Sequence, residues 1–552
     1  MLTLIAAQRV PMRAAPTYLP LILLPLALFG IFFHWQILDV TNIGWLLRGS
    51  DNGENALGLH AWLHDPSPGF LRTALLGAPE GTGLLFTDSN PLLAVLAFPL
   101  RGILPADTQL IGWWILACLF LQVLFAWLLL RRHAPNGLAL WCGVLLLAAL
   151  PTLFNRFVHV NLMAHWLILW ALWRFDDPER SASNRGWAAL IAITALIHSY
   201  LLVMVGAIWA SAMLERLWKD RAAAPRLIVQ GLAMIAMVAA IAWSLGVFEP
   251  HRPSGNYGAF AMPLDALWNP GVDTYSTFLP AIEQRPGRGF EGFQYLGLGL
   301  LILLPGAAIA VRRLPRPAPD ASGSLARYSW LLPALIVLTL LAISTYPDFA
   351  GRMLPRWQLP QDVADALDAV RASGRLFWPV AYVAVLAALR IAFRLPERMA
   401  GLALLAVTMV QIADLAPMAR AIRSQTIEAG IAPRYLRTPA PEWDRLIERA
   451  HGIAFIPAEV TKDLGLFQEI AWRAAKAQVA VRSVYVARAS PQSAARQEQE
   501  TARFRAGEIV PGRLYILIDG EPIPPPLIDK VRPLDGITIA FEPVVNPSSS
   551  PR

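Results

Sequence analysis

Two aspartates near apolar runs are the first candidates for chemistry. Asp51 sits in Gly49-Ser50-Asp51-Asn52-Gly53-Glu54-Asn55, soon after the first apolar run. Asp88 sits in Phe86-Thr87-Asp88-Ser89-Asn90-Pro91. Carboxylates near a membrane surface can take or give a proton to a reacting hydroxyl. Asp88 equally suits a helix N-cap, because Asp-Ser before Pro is a good helix start. A second group follows in Asn155-Arg156-Phe157-Val158-His159-Val160-Asn161, with His165 just beyond and His198 between two apolar runs. Three histidines and an arginine at one level suit phosphate or hydrogen-bonding contacts better than a metal. No tight His pair with a nearby carboxylate ligand accompanies them.

Two later stretches add to this set. Tyr257 lies in Ser254-Gly255-Asn256-Tyr257-Gly258, and Glu291 opens Glu291-Gly292-Phe293-Gln294-Tyr295-Leu296-Gly297-Leu298-Gly299. Aromatics alternating with amides and glycines suit a sugar-lined groove, and equally a packed lid. Arg352, Arg356, Arg371 and Arg375 fall between two apolar runs. Arginine is well matched to phosphate, although Arg375, just before Leu376-Phe377-Trp378, also reads as a snorkelling interface anchor. Asp362, Asp365 and Asp368 fall at helical spacing and read as a solvated face. No Walker, Rossmann, HExxH or CxxC pattern is present.

The elements that must position these residues are mostly membrane helices. Of 552 residues, 56% are hydrophobic and only 16% charged, against about 25% in soluble domains. Many of the 20 tryptophans, such as Trp35, Trp45, Trp113, Trp187 and Trp330, lie near the ends of apolar runs, as an aromatic belt would. The two cysteines, Cys118 and Cys142, lie inside apolar runs and read as small core residues. About eleven spans are expected, at 18–35, 107–130, 138–154, 162–175, 186–198, 200–217, 227–248, 295–311, 330–345, 376–394 and 399–417. The pair meeting at His198-Ser199-Tyr200 could instead be one kinked helix, which would flip everything after it.

Loop charge arbitrates between these topologies. With residues 1–16 cytoplasmic, alternate loops carry Arg131-Arg132, then Arg174, Arg180 and Arg185, then Arg216, Lys219, Arg221 and Arg226. Arg312, Arg313 and Arg316, and finally Arg394 and Arg398, complete the series. All fall on the cytoplasmic side if there are eleven crossings. The net charge of +8 is therefore a topology signal and no argument for nucleic acid. The other side receives loops 36–106, 249–294 and 346–375 and the tail. Residues 90–105 are apolar but too short and Pro-broken to span, and read as an interfacial or re-entrant helix.

The tail has ordinary soluble composition. Residues 452–457 and 513–518 read as buried strands and 466–481 as a helix, which makes 418–545 a small α/β domain. Residues 546–552 are Pro/Ser-rich and read as disordered. The fold class expected is thus an all-α polytopic membrane domain over 17–417, with an extracytoplasmic α/β domain behind it.

This combination resembles the GT-C superfamily of membrane glycosyltransferases, and looks most like a bacterial GT-C-like branch. The local matches are Phe86-Thr87-Asp88-Ser89 with Pro91-Leu92-Leu93, and His165-Trp166 with Ile197-His198. Further matches are the string from Glu291 to Gly299, and Arg371-Ala372-Ser373-Gly374-Arg375 before an aromatic span. The resemblance covers roughly 17–420 and is weaker in the tail. It implies an inner-membrane enzyme that moves a sugar from a polyprenyl-phosphate carrier to a glycan or lipid acceptor of the cell envelope, on the extracytoplasmic (periplasmic) face. Asp51 matches the acid expected after the first span, and its role would be general base. Arg375, Arg352 and Arg156 would face the lipid phosphate. His159, His165, His198, Glu291 and Tyr257 would face substrate, Glu291 either bonding sugar hydroxyls or pairing with Arg288. Loop 36–106 has no DxD or ExD pair, which favours a metal-independent reaction with no cofactor, while leaving a divalent metal open. Asn55 stands where the branch carries His, a departure that touches any role for that position. The competing readings are a transporter or flippase of lipid-linked glycans, and a non-catalytic membrane scaffold.

Overall fold

A computed structural model of the chain describes residues 18–250, 257–271, 275–314, 325–486, 490–518 and 520–544. The expectations for residues 1–16 and 546–552 lie outside the described residues. The fold is mostly helical, with a small sheet domain at the C-terminal end.

Six of the described helices are long and apolar enough to cross a membrane. They are Ile111–Leu130, Gly137–Val158, Ser199–Lys219, Arg221–Ser244, Leu325–Ile343 and Ser373–Ala392. A seventh arises if Glu397–Asp414 and Ala416–Gly430, bent by 48°, count as one. The remaining expected spans are also helical but shorter, at Pro20–Phe32, Trp166–Phe175, Asn184–Ala195 and Leu298–Arg313. Length is the reason they differ from the expectation. The ten residues of Trp166–Phe175 rise about 15 Å, half of a hydrocarbon core of about 30 Å. At His198 the chain breaks, so the two runs are separate helices. His198 is extended, its ring accepts from the Tyr200 N–H, and the helices on either side pack against each other. The expected interfacial piece is the helix Pro91–Ala97 followed by a 3-10 turn, Phe98–Leu100, with Val95, Leu96, Leu100 and Ile103 exposed.

Two buried carboxylates, Asp414 and Asp348, tie down the connections of the bundle. Asp414 is fully buried and accepts from the Leu298 N–H at 2.8 Å and the Tyr295 hydroxyl at 2.6 Å, fixing the start of Leu298–Arg313. Arg288 pairs with buried Asp348.

In the C-terminal domain the strands lie in the order Gly452–Ile456, Arg513–Leu517, Ile537–Phe541, Val531–Leu534. The first pair is parallel and the others antiparallel. Period-two alternation splits the strand residues between two cores. Ile453, Phe455, Leu514, Ile516 and Ile539 join the apolar core that continues into the bundle, while Ala454, Ile456, Tyr515, Leu517 and Ala540 pack on Phe504 and Leu527. The helix expected at 466–481 is Leu464–Lys476. It stops because Gln478 takes a left-handed conformation (φ 58°), and Val481 instead bridges Leu76 and Ile453. The helix Pro491–Arg505 and the hairpin 531–541 carried no sequence expectation.

The helix Asp51–His64 links the two halves. It is buried along almost its whole length between the bundle and Leu464–Lys476. His60 stacks on Trp472 at 3.7 Å, and the Trp472 indole N–H donates to Asp107 at 3.1 Å.

Candidate functional site

Asp51 is the first residue of Asp51–His64. Ser50 caps that helix by accepting from the Gly53 N–H at 3.2 Å. From the C-terminal domain, Gln468 accepts from the Gly49 N–H at 2.9 Å and donates to the Ser50 carbonyl at 2.8 Å. The aspartate is therefore held at a capped helix start, a site that favours negative charge.

Facing it is the irregular stretch after Gly137–Ala148. Polar side chains pin this stretch to its surroundings. Asn52 donates to the Phe157 carbonyl at 2.9 Å and Trp114 to the Val160 carbonyl at 2.8 Å. This brings His159 Nδ1 to 3.4 Å from Asp51 and its Nε2 to 3.7 Å from Glu291. Burial, with Arg375 and Arg156 adding to it, pushes the imidazole down to about 3. His159 is therefore neutral at physiological pH, so the contact with Asp51 is a polar one and no ion pair.

Glu291 is the hub. Arg156 donates to it at 2.7 Å and Arg375 grips it with two nitrogens, one at 2.7 Å. Burial opposes its charge, but Arg375 and Arg156 hold the carboxyl well below its usual range. The expected pairing of Glu291 with Arg288 is not formed, because Arg288 is committed to Asp348. Arg156 also lies over the Phe290 ring at 4.1 Å. Arg375 sits in the 3-10 turn Ser373–Phe377, which is tied down by Gln294 donating to the Gly374 carbonyl at 2.7 Å. Tyr200 accepts from the Ala372 N–H at 2.8 Å through its hydroxyl and offers its ring to Arg375 at 4.9 Å.

Asp88 completes the group. It is not an N-cap, since Asn90 caps Pro91–Ala97 by accepting from the Leu92 and Leu93 N–H groups. Asp88 instead takes a left-handed conformation (φ 53°). Its carbonyl accepts from Asn161 at 2.7 Å and from Asn55, which itself donates to Asn161 at 3.3 Å. Burial, then the charge of Asp51, pushes the Asp88 carboxyl up to about 6 against the pull of Arg375 and Arg371. Burial and Glu291 likewise raise Asp51. Both aspartates keep partial access to solvent. Glu54, one helical turn beyond Asp51, is fully buried and driven well above its ordinary value by burial, then by Asp88 and Asp51.

The structure therefore gathers Asp51, Asp88, His159, Glu291, Arg156 and Arg375, with His198 within electrostatic reach of Arg375, His159 and Glu291. Three expected residues stay outside. His165 is buried with its Nδ1 2.9 Å from the Tyr382 hydroxyl. Tyr257 is buried and donates to the Leu341 carbonyl at 3.0 Å. Arg352 lies on an exposed hairpin. In each case apolar packing or chain direction removes the side chain from the group. Arg371, already read from the sequence among the phosphate-matched arginines, pulls on the Asp88 carboxyl, whereas sequence reasoning gave no role to Glu54, Asn161, Gln468 or Tyr485. The i,i+3 spacing of Asp51 and Glu54 could have signalled the first. Nothing in the tail marks Tyr485, which feels the charges of Asp51, Asp88 and Glu54 and is pushed up to about 12, mainly by burial. Among the described residues no group of three or more His, Cys, Asp or Glu side chains is arranged to hold a metal ion.

Residues 22–416 match the family described as Domain of unknown function (DUF6311). The chain belongs to the DUF6311 family. Residues 442–542 match the DUF6311 C-terminal domain, so the bundle with all the gathered charges and the sheet domain carrying Gln468 and Tyr485 are both parts of the DUF6311 pattern. No curated protein and no solved structure matches the chain.

Proposed function

We propose that this DUF6311 protein is a GT-C-type glycosyltransferase of the bacterial inner membrane. It has about eleven spans, a cytoplasmic N-terminus and a periplasmic C-terminal domain. It moves a sugar from a polyprenyl-phosphate carrier to a glycan or lipid acceptor of the cell envelope. The observation that carries this reading is the juxtaposition of a partly exposed, upward-shifted Asp51 with two arginines fixed on Glu291.

In the reaction the acceptor hydroxyl oxygen attacks the anomeric carbon. The bond from that carbon to the phosphate oxygen breaks, and its electron pair leaves with the phosphate. Asp51 takes the hydroxyl proton. A carboxylate raised towards neutrality is a stronger proton acceptor than an ordinary one. Arg375 and Arg156 supply fixed positive charge where the phosphate gains negative charge. Their grip on Glu291 keeps them ordered, so little reorganisation is needed during the reaction. Attack from the face opposite the phosphate inverts the anomeric centre. Asp88 is the second candidate for proton handling, and Tyr485, which feels the charges of Asp51, Asp88 and Glu54, supports a part for the C-terminal domain in binding the acceptor.

Asp51→Asn tests this assignment. The variant should insert and fold normally and lose transfer by about 10²–10⁴-fold, the range of a removed general base. Full activity would remove Asp51 from the mechanism.

A further inference from the structure

The stretch from Arg352 to Leu359, Arg-Met-Leu-Pro-Arg-Trp-Gln-Leu, is exposed at every residue. It includes Trp357 at 63% and Met353 at 46% exposure. Its composition is four large apolar side chains and two arginines, with no acid before Asp362. A water-facing loop of this kind would be an apolar patch without a partner.

Its position says what covers it. The Trp357 N–H donates to the Thr345 carbonyl at 3.1 Å, and the Leu354 N–H to the Pro347 carbonyl at 2.9 Å. Thr345 comes two residues after the end of the helix Leu332–Ile343, part of a candidate span. The strap thus folds back to the level at which that span leaves the apolar layer. Arg356 lies 5.8 Å from the Tyr346 ring centroid, at the same level. The strap's first two residues pair with the strand Asp348–Phe349, and that arm is anchored by Asp348 on Arg288 and by the Ala350 N–H donating to Asp265 at 3.1 Å. It is a held element, and its outer side has no cover among the described residues.

We infer that the Arg352–Leu359 strap is seated in the headgroup layer of the bilayer, with Arg352 and Arg356 taking the phosphates of anionic phospholipids. Tryptophan and tyrosine rings prefer that layer, and apolar side chains gain by entering its inner edge. Each arginine near an anionic surface adds further attraction. The inference rests on Leu325–Ile343 and Ser373–Ala392 crossing the membrane, and on nothing about sugar transfer. Arg352 on this reading holds bulk lipid and does not act on the reacting phosphate.

Both native cysteines, Cys118 and Cys142, are buried, so single labelled positions can be read in the full chain. Trp357→Cys, and Met353→Cys as a second position, would carry an environment-sensitive fluorophore after reconstitution into vesicles. The vesicles would be phosphatidylcholine with or without phosphatidylglycerol, containing phospholipid spin-labelled near the headgroup. Ile528→Cys, exposed in the C-terminal domain, is the reference. The expected result is quenching about twofold or more above the reference, deepened by phosphatidylglycerol and weakened when Arg352→Gln and Arg356→Gln are added. Three results would overturn the inference. One is quenching by aqueous iodide as at the reference, with none by lipid. Another is shielding from both quenchers, which would mean a protein partner or second copy covers the strap. The third is lipid quenching indifferent to phosphatidylglycerol and to the arginines.

Discussion

Asp88 shows how a single residue can carry a charge that the fold disfavours. Its carboxyl titrates near 6 in the folded chain against 3.8 ordinarily, because it is buried beside Asp51. A carboxyl raised on folding favours the folded state when protonated, and that stability is lost as the pH rises through about 6. At neutral pH the charge costs up to about 3 kcal/mol. Asp88→Asn should therefore raise the melting temperature at pH 7.5, with the gain vanishing near pH 4. Thermal unfolding in detergent at the two pH values checks this, and a destabilised variant at pH 7.5 would contradict it. The aspartates and arginines were legible as types at membrane edges. Their pairing was not, since nothing in the local string around Glu291 distinguishes Arg288 three residues away from Arg156 and Arg375 far along the chain.

Whole elements set the geometry through close approach. Helix Asp51–His64 passes the Leu84–Thr87 turn and Ser89 at Gly58. A Cβ there would lie 2.1 Å from Thr87 Oγ1 and 2.3 Å from Ser89 Oγ. Gly58→Ala should cost about 1–3 kcal/mol and shift the Asp88 loop. Gly206→Ala, where a Cβ meets nothing within 4 Å, should be neutral or gain about 0.5–1 kcal/mol from helix propensity. Paired melting curves compare the two, and equal effects would show that the approach at Gly58 is slack. Apolar runs and loop charge made the helices readable from sequence. The shortness of Trp166–Phe175 was less so, because hydropathy alone does not reveal where a helix yields to the hydrogen-bonded stretch 155–163. The end of the docking helix at Lys476 was missed for a related reason. Its apolar pattern runs on into Val479 and Val481, but Gln478 turns the chain and gives Val481 to a strand bridge.

At the scale of the molecule, the C-terminal domain is built into the site. The stacked His60–Trp472 pair, Gln468 on Gly49 and Ser50, and Arg496 on Glu80 at 2.9 Å tie it to loop 36–106. Trp472 is fully buried. Trp472→Ala should cost about 3–5 kcal/mol and speed proteolytic cleavage in the partly exposed connection 431–437. Unchanged cleavage would mean the domain docks without that contact. Such long-range docking has no sequence period, so the tail read only as a separate α/β domain. The central claim is that the Asp51 group performs sugar transfer. It is tested most directly by reconstituting wild type and Asp51→Asn side by side and supplying a panel of polyprenyl-phosphate sugars with cell-envelope extract as acceptor. Transfer by wild type, lost in an equally folded Asp51→Asn, is the predicted result. Equal transfer by both, or no donor consumed by folded wild type with acceptor shown to be present, would contradict it.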